Sequence, residues 1–299
     1  MTGTIPDGIA KFPFLQSLSL QFNDGLTGTI PDFLFEMRHL EVLELRGNGL
    51  TGTIPDALYE SRSLHIVSLA GNSLTGTIST DVGKLKDAKR MILFDNELSG
   101  QLPDEFFDLS SLHYVRLDSN RFNGTIPRAI GNIGNLVGFS AQRNEFTGTI
   151  PTEIGGMSGL GELHFGSNQM GGPIPDEFWS ASSLFWVGLE KNDFTGTISS
   201  EIAKLTLLSR LYIDNNRFSG PFPSIFSRTE EPLEVEAQGN YFNGTFPSGL
   251  CPLDRAKLEL KPVQTLIADC KPDRDGVVKN ECECCTQCCD DGERCVANN

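Results

Sequence analysis

The sequence predicts an α/β repeat solenoid, with short parallel strands stacked into a sheet on one face and short helical or 3₁₀ segments on the other. Three observations predict it. A Thr-Gly step and its variants recur at Thr2, Thr27, Thr51, Thr75, Ser99, Asn123, Thr147, Gly171, Thr195, Ser219 and Asn243; the first interval is 25 residues and the next nine are 24 each. An asparagine precedes each of the last ten steps, from Asn23 and Asn48 to Asn216 and Asn240. Upstream of each Asn lies one apolar pattern: Leu40, Leu43, Leu45 before Asn48; Leu112, Val115, Leu117 before Asn120; Leu208, Leu211, Ile213 before Asn216. A fixed period of this length marks units that bury their apolar faces only against their neighbours.

The unit reads LxxLxLxxNxLTGxIPxxLxxLxx, and each part has a physical reason. Two apolar residues two apart point to one face of an extended strand. The Asn amide ends the strand and offers donors and an acceptor to backbone groups of adjacent turns. Gly permits the turn, and Pro blocks regular continuation. The remaining stretch returns across the back as a helix or 3₁₀ turn. Departures are few: Ala88 and Met91 replace leucines, Pro232 falls at a leucine position, and Ser79 and Ser199 replace proline. One extra residue between Asn23 and Thr27 predicts a local bulge.

N-x-L-T-G-x-I-P, repeated almost verbatim, resembles the plant-type leucine-rich repeat over about residues 12–250. The resemblance implies a right-handed superhelix of about ten repeats, a parallel sheet on its concave face, and a second short strand around G-x-I-P. Residues 1–250 are read as the solenoid and 251–299 as a cysteine-rich cap or tail, similar to that of leucine-rich-repeat proteins from diatom-like microalgae. The chain opens on the second half of a unit, "MTGTIP", which reads as an N-terminally truncated array with its export signal upstream.

Composition narrows function. Net charge is −15, from 24 basic and 39 acidic residues, a poor match for nucleic acid or an anionic membrane surface. No run of about 18 apolar residues is present to span a bilayer. Phosphate loops, metalloprotease and kinase motifs are absent, and His39, His65, His113 and His164 are scattered scaffold variants. The expectation is no catalytic residue, no cofactor and no enzyme.

Recognition is instead expected on strand residues facing away from the core, as in other extended repeat arrays. Those columns place Phe94, Tyr114, Arg116, His164, Trp186, Glu190, Arg210, Tyr212 and Asp214 in repeats four to nine. Aromatic and arginine side chains are the types that dominate binding hot spots. The expected ligand is a protein, peptide or glycan; the competing reading is ordinary variation on an exposed sheet. By resemblance the chain looks like an extracellular, receptor-like ectodomain. An inhibitor of cell-wall-degrading glycosidases is the alternative. Paired threonines at Thr2/Thr4, Thr27/Thr29, Thr51/Thr53, Thr75/Thr77, Thr147/Thr149 and Thr195/Thr197 leave ice binding as a distant third.

All eight cysteines lie in the tail: Cys251, Cys270, Cys282, Cys284, Cys285, Cys288, Cys289 and Cys295. Their even number favours disulfides in an exported chain, with no pairing assigned. A thiolate metal site is the rival, although the run lacks histidine and a separated second CxxC. Two sequons, at Asn123 and Asn243, agree with export as glycosylation candidates.

Overall fold

The computed structural model describes residues 2–223, 233–245, 263–269, 280–281, 285, 287–290 and 294–297. The chain divides into two compact units, Met1–Phe146 and Thr147–Asn299. Each is a stack of repeats.

In the first unit the strands Ser17–Ser19, Val42–Glu44, Ile66–Ser68, Arg90–Ile92, Tyr114–Arg116 and Gly138–Ser140 pair in that order, all parallel. Their central residues, among them Leu43, Val67 and Val115, are buried. The residues on either side therefore stand on the opposite face. A second set of strands, Thr2–Gly3, Asn23–Gly28, Asn48–Thr53 and Ser73–Thr75, forms a four-stranded parallel sheet. These strands cover N-x-L-T-G rather than the expected G-x-I-P. They end at Gly3, Gly28, Thr53 and Thr75, two to four residues before the proline position, which in the last of these repeats is Ser79. The register shifts between Asn23 and Thr27, where the extra residue falls.

In the second unit Glu162–His164, Trp186–Gly188, Arg210–Tyr212 and Leu233–Glu236 continue the same parallel pattern. Val263–Asp269 and Gln287–Asp290 extend it in parallel, and Arg294–Ala297 closes it antiparallel. Leu266 and Ala268 are buried, so this part of the tail prolongs the core. Cys285, the one cysteine whose side chain is described, is buried and is not a free thiol. Pro232 lies outside the described residues.

The back of every described repeat is a 3₁₀ turn, such as Asp56–Glu60 and Asp104–Asp108 in the first unit or Thr152–Gly156 and Asp176–Ser180 in the second. Pro usually occupies the N-cap position. Where it is replaced, the serine caps directly: Ser79 Oγ accepts from Asp81 N at 3.2 Å and Ser199 Oγ from Glu201 N at 3.3 Å.

The asparagine column bonds one turn to the next. Asn120 Nδ2 donates to Leu117 O of its own repeat at 3.1 Å and to Leu93 O of the preceding one at 3.0 Å. Its Oδ1 accepts from Leu98 N at 3.0 Å. Asn72 and Asn96 in the first unit and Asn216 and Asn240 in the second repeat this arrangement. Two residues past the Asn the core fills with phenylalanine rather than leucine in several repeats. Phe194, Phe218 and Phe242 stack at centroid spacings of 6.1 and 6.2 Å.

Candidate functional site

Three of the predicted residues lie in the first unit. The Arg116 guanidinium sits 4.8 Å from the Phe94 ring centroid, and that of Arg46 lies at the same distance. Arg46 comes from two repeats away, reaching past the buried Ala70, whose small side chain leaves the path open. Arg90 covers Tyr114 at 5.3 Å. Arg116 Nε also donates to Asp118 Oδ2 at 2.9 Å, and Asp118 accepts from the Ser140 hydroxyl. The arginines of this patch are therefore engaged with neighbouring rings or a carboxylate.

The other six predicted residues lie in the second unit, four on three consecutive strands and two, Glu190 and Asp214, two residues past a strand end. Trp186 is the centre. Its ring meets His164 edge-on at 4.4 Å and Tyr212 edge-on at 6.3 Å, with the Arg210 guanidinium over it at 4.4 Å. Arg210 Nε pairs with Glu234 at 3.3 Å, and the Tyr212 hydroxyl donates to the same carboxylate at 2.8 Å. Burial, and after it this bond, raises the Tyr212 pKa.

Beside Trp186 the sheet has a depression made by two glycines. A Cβ at Gly166 would lie 2.0 Å from Glu190 Oε1, and one at Gly188 would lie 3.1 Å from Glu190 Oε2 and 3.0 Å from His164 Nδ1. Glu190 folds its carboxylate into that space, which only glycine leaves open. The backbone bonds Lys191 N to Asp214 O and Asn215 N to Gln238 O, both 2.8 Å, set Glu190, Asp214 and Gln238 side by side. This column, two residues before each Asn, is expected to be solvated. Asp214 instead is only 4% exposed and Gln238 8%.

Burial raises the pKa of Glu190, Asp214 and Glu236; the charge of Asp214 raises Glu190 and Glu236 further, while Lys191 opposes all three shifts. Raised carboxylate pKa values mean that the folded state holds protons the unfolded chain releases. Their contribution to stability is complete below the ordinary carboxylate range and is lost as pH rises through the folded values. The expected result is a melting temperature for the second unit that falls from about pH 4 toward neutrality. The fall should be smaller in Glu190→Gln/Asp214→Asn, and equal slopes in the two proteins would contradict it.

Sequence reading named the aromatic and charged members of this group. It passed over Arg46, Gly166, Glu236 and Gln238, although the drift of the outward columns toward Glu190, Asp214, Glu234 and Glu236 was there to be read. Among the described residues, no group of histidine, cysteine or carboxylate side chains is placed to hold a metal ion.

The threonines form a separate array on the four-stranded sheet of the first unit. Thr2, Thr27, Thr51 and Thr75 are exposed at one repeat position and Thr4, Thr29, Thr53 and Thr77 at another, with a register that sets Thr27 beside Gly49, Thr51 beside Ser73 and Thr53 beside Thr75. A methyl of Thr4, Thr29 and Thr53 occupies the space where a Cβ would stand on Gly28, Gly52 and Gly76, at 2.9 to 3.0 Å. These glycines also have φ between 82° and 85°, so both backbone and neighbour demand glycine.

A family model described as Leucine Rich Repeat matches residues 39–60, 111–133 and 207–229. The chain carries leucine-rich repeats. Among solved structures, a TDR receptor is 32% identical with a TM-score of 0.80, over 89% of this chain and 45% of its own. The Arabidopsis receptor kinase HAESA, in complex with the peptide hormone IDA and the co-receptor SERK1, is 27% identical with a TM-score of 0.76, over 99% of this chain and 54% of its own. The repeats thus span about half the length of these receptor structures. A plant ice-binding protein is 26% identical with a TM-score of 0.69, over 79% of this chain and 78% of its own. Among curated proteins none matches.

Proposed function

We propose that the chain is a non-enzymatic recognition module, a receptor-like extracellular repeat array that binds a protein or peptide on the outward face of its strands. The observation that carries this is the patch on the second unit. There Trp186, Tyr212 and Arg210 stand together on adjacent strands beside partly buried carboxylates. An aromatic-arginine centre ringed by charge is the composition of an interface hot spot. The receptors similar in structure, one of them solved with a peptide hormone, support the reading. Export is supported by the two sequons, Asn123 being half-buried and Asn243 exposed, and by the cysteine-rich tail, which we infer to be disulfide-bonded. Among the described residues no helix is long and apolar enough to cross a membrane.

The test is alanine at Trp186 and at Tyr212, with affinity for a captured extracellular partner measured by calorimetry. Each should lose about 2 kcal/mol or more of binding free energy, with the melting curve of the protein largely retained. Unchanged affinity in both variants would sink the proposal.

The threonines at these two repeat positions favour one second reading, an ice-binding surface, and the similarity to a plant ice-binding protein supports it. Adjacent parallel strands lie about 4.8 Å apart and set threonine beside threonine at Thr53 and Thr75. Thermal hysteresis in the native chain that disappears in Thr29→Tyr/Thr53→Tyr would establish it, and no hysteresis would end it.

A further inference from the structure

The column formed by Glu190, Asp214 and Gln238 carries three acceptor oxygens with nothing to accept. Glu190 Oε2, Asp214 Oδ1 and Gln238 Oε1 are all inaccessible to solvent and receive no hydrogen bond within the protein. Asp214 and Gln238 are themselves more than nine-tenths buried. The other Asp214 oxygen is taken by Asn215 Nδ2 at 2.7 Å, leaving Oδ1 over for something else. A buried acceptor without a donor costs free energy, and a buried carboxylate without a counter-charge costs more. A fold that keeps three such oxygens in adjacent positions of one column is built to receive donors.

We infer that this column is the subsite for a basic side chain, arginine or lysine, of an extended peptide bound along the strand face. The inference rests on the proposed function and names the chemistry its ligand must bring. A guanidinium has five N–H donors in a planar fork and an ammonium has three, so one such group brings several donors to the column. The positive charges already present do not fill this role. Arg210 is committed to the Trp186 ring and to Glu234, and Lys191, which opposes the shifts of Glu190 and Asp214, is exposed.

Two further observations favour an organic cation within a peptide over a bare ion. The acids do not converge in the manner a metal ion requires. Trp186 and Tyr212 border the column, and aromatic faces attract alkylated and guanidinium cations. The buried Trp186 Nε1 also lacks an acceptor. A peptide supplies one in its backbone carbonyl, so the subsite offers acceptors for the side chain and a donor for the main chain. Glu190 reaches the column only because positions 166 and 188 are glycine, which ties the subsite to the depression beside Trp186.

The full chain is panned against a random peptide display library, and selected peptides are resynthesised with each Arg changed to citrulline or each Lys to norleucine. One basic position per peptide should emerge, whose neutralisation weakens binding by about tenfold or more in the native chain. The same change should matter less than about twofold in Glu190→Gln/Asp214→Asn, because the charges it would meet are gone. Should the double variant fail to fold, Glu190→Gln alone carries the comparison, since Glu190 is the more exposed of the two. Peptides that bind and are lost on Trp186→Ala, yet show no such position, overturn the inference and leave the proposed function standing. A library that yields no binder overturns both. Displacement of the selected peptides by calcium chloride, with saturation in the native chain only, assigns the column to a metal ion and also overturns it.

Discussion

Asn120→Ala is expected to destabilise the first unit by about 3 kcal/mol, among the larger effects a single substitution can have. The side chain is 9% exposed and makes three kinds of bond at once. Its amide nitrogen donates to carbonyls of its own repeat and of the preceding one, and its oxygen accepts a backbone N–H of the preceding turn. Alanine leaves those backbone groups buried without partners, at about 1 to 3 kcal/mol for each group stranded, less whatever relaxation recovers. Asn120→Asp should not rescue the loss, since a carboxylate cannot donate and would face two carbonyl oxygens. Urea denaturation followed by circular dichroism checks this. A loss below about 1 kcal/mol would mean that water replaces the amide, and that the column is not what joins the turns.

Gly155→Ala is the second large effect, expected at about 3 kcal/mol or more. A Cβ on Gly155 would lie 1.9 Å from the carbonyl oxygen of Glu177 and 2.6 Å from its carbon. Both are backbone atoms of the next 3₁₀ turn, so no side-chain rotation relieves the clash. Gly156 supplies the control. Its Cβ would meet nothing within 4 Å, and neither glycine has a positive φ. Gly156→Ala should therefore be neutral or stabilising by up to about 1 kcal/mol, through the unfolded chain. Equal melting temperatures for the two variants would refute the close packing of adjacent turns.

Much of this architecture was legible in the sequence because a repeat fixes most of its own contacts. The strand follows from Leu-x-Leu, and the asparagine bonds from the need to satisfy backbone groups where each strand ends. The bulge after Asn23 follows from one surplus residue. The second strand begins nearer the Asn and ends before the Ile-Pro pair, a shift that the period alone does not set. The candidate site was legible only in its residue types. Period places Glu190 on the outward face, but the direction of its side chain depends on the missing Cβ atoms of Gly188, two residues before it, and of Gly166, 24 residues before it in the neighbouring repeat. The reach of Arg46 to Phe94 likewise depends on the smallness of Ala70 between them, a three-repeat relation that no single unit contains.

The asparagine bonds have a consequence for how such a chain can change length. Within the first unit, the groups Asn96 satisfies in the turn before it are those Asn120 satisfies one turn later. Removing residues 97–120 would bring Arg121 after Asn96 and join like to like, with every severed bond re-formed by its equivalent. A change that is not a whole unit must be absorbed elsewhere, as the surplus residue after Asn23 is by a shift in register that leaves the bonds of Asn48 in place. Length in this architecture therefore changes most simply by duplication and excision of 24-residue blocks, while the surface each block presents drifts independently.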